Sequence, residues 1–139
     1  MADQQSWHET WMASFGRHLA TQLTPLLPAE HELVAMGREL SLIVRRDGAP
    51  LRIAVSYELP MPAPGAVLTA AAAEQLLGEV QDEVAQFLTR TWPGDRGLHP
   101  RADDADGAIA MRFSARDGSG AIELAPFVPP STADAVAAG

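Results

Sequence analysis

The chain has 139 residues, a formal net charge of −8 and no cysteine, with 47% hydrophobic and 20% charged residues. These values suit one folded domain and exclude disulfides, thiolate metal sites and a cysteine nucleophile. The acidic balance argues against nucleic acid and anionic membranes as partners, because both are bound through an excess of basic side chains.

A first helix is predicted to begin at Ser6, which forms a capping box with Glu9 ahead of an apolar-periodic segment. Pro25 is expected to end this helix. On a helical wheel the apolar arc is centred on Phe15, and the opposite side is polar. The arc also contains Trp7, His8, Trp11, Met12, Leu19, Leu23 and Leu26.

Three strands are predicted next, over residues 32–36, 40–46 and 51–59. In the third strand the odd-numbered residues are apolar and the even-numbered ones small or polar, which is typical of a half-buried strand. Asp47-Gly48 precedes it and predicts a hairpin, because this dipeptide readily adopts positive φ. The last two strands are therefore expected to be antiparallel neighbours. The polar side of the third carries Arg52, Ala54, Ser56 and Glu58.

A second long helix is predicted from Ala70 to about Thr91, with Thr69 as its N-cap. One side of this helix is acidic, and the other is an apolar stripe that is expected to be buried. The stripe consists of Ala73, Leu76, Leu77, Val80, Val84, Phe87, Leu88 and Thr91.

Residues 93–107 are predicted to form a loop, because proline and glycine recur in them. Two more strands are predicted at residues 108–116 and 121–125, joined by a hairpin turn at residues 117–120. The polar side of the first of these strands carries Ala110, Arg112 and Ser114.

These elements predict an α+β fold in the order α-β-β-β-α-β-β, with a five-stranded, mostly antiparallel sheet and both helices on one face. Residues 1–125 are expected to form a single domain, and residues 126–139, rich in proline and alanine, a mobile tail. We expect a cytoplasmic protein without a membrane span, because no signal peptide and no run of ~18 apolar residues is present.

The motifs for a metal, a cofactor or a nucleophile are all incomplete. Met12 stands where a zinc-protease helix that begins at His8 would need its second histidine. The acidic run 103–106 resembles a calcium loop but lacks the first ligand and the final glutamate. We therefore expect no metal site and no cofactor, and we expect His8 and His18 to pack at the core edge with one hydrogen bond each.

A histidine near two carboxylates makes an enzymatic function the alternative. His99 lies in the predicted loop near Asp95 and Asp103, and a histidine beside a carboxylate can act as a general acid or base. In this alternative the chain is a small enzyme, or an accessory subunit of a biosynthetic pathway, with a pocket beneath the loop.

The polar face of the predicted sheet is a candidate of a different kind. Arg52, Ser56 and Arg112 lie on it among small side chains, which makes a flat surface suited to water, to a partner or to a second copy. Apolar residues in the connections would favour self-association, most simply as a two-fold dimer. These residues are Met61, Val67, Trp92, Phe127 and Val128.

The order α-β-β-β-α-β-β, the size and the acidity resemble the chaperones of type III secretion systems, over about residues 6–125. The resemblance implies a non-enzymatic protein that binds an extended segment of a partner polypeptide and forms a homodimer. It also implies that Trp7, Trp11 and Phe15 of the first helix help to form the partner groove. The chain departs from that family where it ends in a proline-rich tail rather than a third helix.

Overall fold

The fold is known from a computed structural model that describes residues 2–47, 49–59, 68–94, 97–117 and 119–128. Within these ranges, the side chains of residues 2–11, 46 and 50–55 are not described. The elements are α1 (Ala2–Leu23), a 3₁₀ turn (Thr24–Leu26), β1 (His31–Met36), β2 (Glu39–Arg46), β3 (Ala49–Glu58), α2 (Ala70–Leu88), β4 (His99–Ala105), β5 (Ala108–Ser114) and β6 (Ile122–Glu123).

The α+β class is confirmed, but the single five-stranded sheet is wrong. The described strands form two antiparallel sheets of three strands each, in the orders β1-β2-β3 and β4-β5-β6. The two helices do not share one sheet face, since α1 packs on β1 whereas α2 packs mainly on β4. The backbone N–H of Ala102 on β4 donates to Glu74 Oε1 of α2 at 3.0 Å. This edge of β4 is thus occupied by a helix side chain instead of a fourth strand.

The first helix is longer at its start than its capping box predicts. It begins at Ala2, so Ser6 lies inside the helix, and Pro25 falls in the 3₁₀ turn that follows. The predicted apolar arc is confirmed where side chains are described, because Phe15 and its neighbours on the arc are fully or almost fully buried. Those neighbours are Met12, Leu19 and Leu23.

The second helix follows its sequence signals closely. Thr69 is the predicted N-cap, and its Oγ1 accepts a hydrogen bond from the Ala72 N–H at 3.1 Å. Thr89 adopts a left-handed conformation, with φ of 54°, and ends the helix at Leu88, before the predicted end. The predicted stripe is buried at Ala73, Leu76, Leu77, Val80 and Val84.

A strand lies where the sequence predicts a loop. Residues 99–105 form β4, which pairs with β5 through a two-residue turn at Asp106 and Gly107. Both turn residues have positive φ, 50° and 85°, as in a type I′ hairpin turn. The prediction failed because β4 is polar, with alternate side chains exposed to solvent and none fully buried.

The two sheets and the two helices enclose one hydrophobic core. Trp92 and Phe127 belong to this core with exposures of 3% and 5%, so they are not the exposed apolar residues that the sequence predicts. Phe127 exchanges both backbone hydrogen bonds with Ile109 of β5, at 2.8 and 2.9 Å. Residues 126–128 are thus attached to the fold, whereas residues 129–139 of the predicted tail lie outside the described residues, as do Met61 and Val67.

Each helix approaches its strand closely at a glycine. A Cβ at Gly16 of α1 would lie 3.7 Å from the Cβ of Ala35 on β1 and 3.3 Å from Leu59 Cδ1. A Cβ at Gly78 of α2 would lie 3.3 Å from Pro100 Cγ on β4. Over the described part of the chain, neither helix offers a stretch long and apolar enough for a membrane span.

Candidate functional site

The partner groove implied for α1 is not found at Phe15. Its side chain is fully buried, and its ring packs edge-to-face on Phe127 with centroids 5.2 Å apart. It therefore belongs to the core rather than to a binding surface. Trp7 and Trp11 lie on the backbone of α1, but their side chains are outside the described residues.

His18 lies at the edge of the core and makes one hydrogen bond, as the sequence predicts. Its Nε2 donates to the Ala125 carbonyl at 2.7 Å, and its ring lies 5.3 Å from the ring of Phe127. Gln22 Oε1 accepts from the Ala125 N–H at 2.8 Å, so α1 holds both backbone groups of this residue. The side chain of His8 is outside the described residues.

The acid and base of the enzymatic alternative are not brought together. His99 and Asp103 are exposed on β4, four residues apart, which corresponds to ~13 Å along a strand. Asp103 Oδ2 accepts a hydrogen bond from Arg112 Nη1 at 3.1 Å instead. Asp95 lies outside the described residues. A histidine with a carboxylate at hydrogen-bond distance is therefore not formed by His99 and Asp103.

The face of the first sheet that points away from the helices is a candidate binding surface. Its central row runs across the three strands from Val34 through Ser41 to Ser56. The hydroxyls of Ser41 and Ser56 are 3.2 Å apart and hydrogen-bonded. Half-buried Ile43 and Met36, which is 73% exposed, flank this row. We call Val34, Met36, Ser41, Ile43 and Ser56 the outer face.

The helices contact the opposite side of this sheet. Ala35, next to Gly16 of α1, and Tyr57, which reaches α2, both point away from the outer face. Leu33 and Leu42 lie on the same inner side and are buried. On the outer face Met36 and Ser56 are exposed and Val34 and Ile43 are half-buried, whereas Ser41 in the middle is buried.

Two ion pairs border the outer face. Arg45 donates to Glu32 Oε1 through Nε at 3.0 Å and Nη2 at 2.5 Å. On the other side, Arg38 Nη2 lies 2.8 Å from Glu58 Oε1. The outer face thus combines apolar residues around a pair of hydroxyls with a charged border, and a polar border is common in protein interfaces. The sequence predicts Ser56 on one polar sheet face with Arg52 and Arg112, but Arg112 lies in the second sheet. The side chain of Arg52 is outside the described residues.

A second candidate is a cleft of about 300 Å³ on the outer side of the second sheet. Arg101 on β4 and Arg112 on β5 are directly opposite each other in the strand register. Arg112, a predicted binding residue, thus lies in a cleft lined by both charges. The lining residues are Glu74, Arg101, Asp103, Arg112, Ser114, Ala115, Arg116 and Asp117.

The carboxylates of this cleft have donors of their own. Asp117 Oδ1 accepts from the N–H of Ser119 at 2.9 Å and from its hydroxyl at 2.7 Å. These hydrogen bonds lower the pKa of Asp117, so it stays ionised at neutral pH. Among the described residues, no group of three acidic or histidine side chains is arranged to hold a metal ion.

Sequence reasoning missed several residues of both surfaces. Successive side chains of a strand point to opposite faces of the sheet. This rule, applied to the predicted strands 32–36 and 40–46, could have placed Val34 and Met36 on one face with Ser41. The sequence does not indicate Arg101, because the prolines and glycines of residues 93–107 predict a loop where β4 lies. Ser114 was placed on the polar side of its strand, but nothing in the sequence indicates its burial.

Comparison of the chain with protein-family models, with curated proteins and with solved structures finds no match.

Proposed function

We propose that this chain is a non-enzymatic protein-binding domain that holds a segment of a partner polypeptide, as the type III secretion chaperones do. The observation that carries the proposal is the outer face of the first sheet. The exposed side chain of Met36 and the half-buried Val34 and Ile43 offer apolar contacts there, and the face lies opposite the one that packs on the helices.

The chemistry of the outer face suits a polypeptide better than a small ligand. Val34, Ile43 and the exposed side chain of Met36 offer apolar contacts, and methionine adapts readily to differently shaped partners. The hydrogen-bonded hydroxyls of Ser41 and Ser56 keep the middle of the face low. The proposal places the protein in the cytoplasm, where the partner would be bound.

The ion pairs at the border would contribute specificity rather than affinity. Exposed pairs such as Arg38 with Glu58 contribute about 0–1 kcal/mol each, and charges at an interface border mainly select partners. We include a two-fold homodimer in the proposal, because dimers are the commonest symmetric assembly.

The test uses two variants that add the same charge at exposed apolar positions. Met36→Glu changes the outer face, whereas Val128→Glu changes a residue that is 68% exposed and lies outside the outer face. Both variants should fold, since neither position is buried. The tagged proteins are purified from the native host, and the polypeptides that co-purify are quantified by mass spectrometry.

We expect at least one stoichiometric polypeptide to be retained by the wild type and Val128→Glu and to be lost from Met36→Glu. The purified pair should then show a dissociation constant that is weakened about tenfold or more by Met36→Glu. If the same polypeptides co-purify with Met36→Glu and Val128→Glu in equal amounts, the outer face is not the binding surface.

A further inference from the structure

We propose that the cleft on the second sheet binds the phosphate monoester group of a small molecule. This inference rests on the side chains of the cleft alone and does not depend on partner binding at the outer face. The cleft volume of about 300 Å³ is at the lower end of the range of ~300–1,000 Å³ that small-molecule sites occupy.

Each of the three carboxylates in the cleft already accepts a hydrogen bond. Glu74 Oε1 accepts from the backbone of β4 at 3.0 Å, and Asp103 Oδ2 accepts from Arg112 at 3.1 Å. Asp117 Oδ1 accepts twice from Ser119. These bonds occupy acceptor atoms of all three carboxylates, but within the described ranges only Asp103 is paired with a guanidinium group.

Two of the three arginines are not engaged in this way. Arg101 and Arg116 form no ion pair or hydrogen bond with a side chain that the structure describes, although both line the cleft. Arg101 also lies directly opposite Arg112 on the next strand. Like charges opposite each other destabilise a sheet, and since Asp103 already pairs with Arg112, a bound anion would mainly offset the charge of Arg101.

Ser114 provides an independent observation. It lines the cleft, yet only 2% of its surface is exposed. Its hydroxyl has no hydrogen-bond partner among the described residues, in contrast to Ser41, the other buried serine, which bonds Ser56. A buried hydroxyl without a partner is unfavourable, so it marks a position where a ligand atom would be bound.

The arrangement of these donors favours phosphate over carboxylate. Arg101 approaches from β4, Arg112 and Ser114 from β5, and Arg116 from the turn that follows. A phosphate monoester offers three acceptor oxygens against two for a carboxylate, which suits a cleft lined by three guanidinium groups and a hydroxyl. The lining has three carboxylates and three guanidinium groups, so a phosphate monoester, with a charge of about −1.5 to −2 at neutral pH, would be bound through the donor groups of Arg101, Arg116 and Ser114 rather than through an excess of positive charge.

The experiment is a titration of the full chain with inorganic phosphate and with glycerol 3-phosphate, followed by backbone amide NMR at constant ionic strength. Succinate is titrated in the same way to compare a carboxylate ligand with the phosphates. Arg101→Gln and Ser114→Ala test the cleft, and Arg90→Gln is the matched control, because Arg90 is exposed after α2 and lies outside the cleft lining.

We expect saturable shifts at the amides of residues 114–117 with both phosphates, and binding weakened about tenfold or more by Arg101→Gln but unchanged by Arg90→Gln. Ser114→Ala should weaken phosphate binding without lowering the melting temperature, since it removes a hydroxyl that has no partner. A purely structural serine would instead lower the melting temperature and leave binding intact.

Three outcomes would overturn the proposal. These are shifts that do not saturate at millimolar phosphate, an equal loss of binding in Arg90→Gln, and succinate binding as tight as phosphate binding. The last result would assign the cleft to carboxylates.

Discussion

The hydroxyl of Tyr57 on β3 donates a hydrogen bond to Glu79 Oε2 on α2 at 2.5 Å. The bond joins the first sheet to the helix that packs on the second sheet. Burial raises the pKa of Tyr57 above its usual range, and the hydrogen bond and negative charge of Glu79 raise it further.

This relationship predicts how stability depends on alkaline pH. Above about pH 10 an unfolded tyrosine loses its proton while folded Tyr57 keeps it, so the unfolding free energy falls as pH rises beyond that value. Below about pH 10 both states are protonated, and this contribution is fully present. Urea unfolding should show the decline in the wild type and a smaller decline in Tyr57→Phe.

The same property can be measured directly, because the chain has a single tyrosine. The ultraviolet absorbance of tyrosinate in the folded protein should rise only above the pH at which a free tyrosine titrates. Titration of the native protein near pH 10 would contradict this account of Tyr57.

A charge at Val84 should unfold the protein. Val84 is 3% exposed on the buried stripe of α2, so Val84→Asp would place an unpaired carboxylate in the core at a cost of about 3 kcal/mol or more. Gln86→Asp is the control, because this position of α2 is exposed. Thermal unfolding followed by circular dichroism checks both; a Val84→Asp variant that melts within a degree or two of the wild type would disprove the burial.

A side chain at Gly78 should destabilise the contact between α2 and β4. Its added Cβ would lie 3.3 Å from Pro100 Cγ, so the branched Gly78→Val is expected to lose about 1–3 kcal/mol despite valine's better helix propensity. Ala71→Val, at an exposed position of α2, should change stability by less than about 0.5 kcal/mol. Urea unfolding measures both, and a Gly78→Val variant as stable as the wild type would mean that the contact between α2 and β4 accommodates the side chain.

Phe127 should prove to be part of the folded domain. Phe127→Ala removes a buried ring that packs on Phe15, with an expected loss of about 3–5 kcal/mol. Val128→Ala, one residue further and 68% exposed, should have little effect. If both variants unfold at the same urea concentration as the wild type, residues 126–128 belong to the tail, as the sequence predicts.

Self-association is expected at tens of micromolar. Light scattering should give a mass near 29.6 kDa, which is twice the 14.8 kDa of one chain. A stable mass of 14.8 kDa would remove the homodimer and leave partner binding as a one-to-one interaction.

The two hairpins show what an Asp-Gly dipeptide predicts and what it leaves open. Asp47-Gly48 predicts the β2–β3 hairpin, and the pairing of Arg46 with Ala49 confirms it. Asp106-Gly107 carries the same signal, but it was interpreted as part of an acidic loop, because the residues before it are polar. β4 has one face exposed to solvent, and its edge is hydrogen-bonded to Glu74 of α2. Such a strand can be stable with a polar sequence.

Local sequence patterns are enough to predict the α+β class, the N-cap Thr69, the antiparallel pairing of β2 with β3 and most of the buried helix positions from Met12 to Leu23 and from Ala73 to Val84, because these depend on residues close together in the chain. The division of the strands into two sheets and the burial of Trp92 and Phe127 depend instead on contacts between distant parts of the chain. The Trp92 indole N–H bonds the Leu26 carbonyl at 2.8 Å, across 66 residues of sequence. Such contacts join segments whose local patterns carry no information about each other, so the packing of the whole chain selects them.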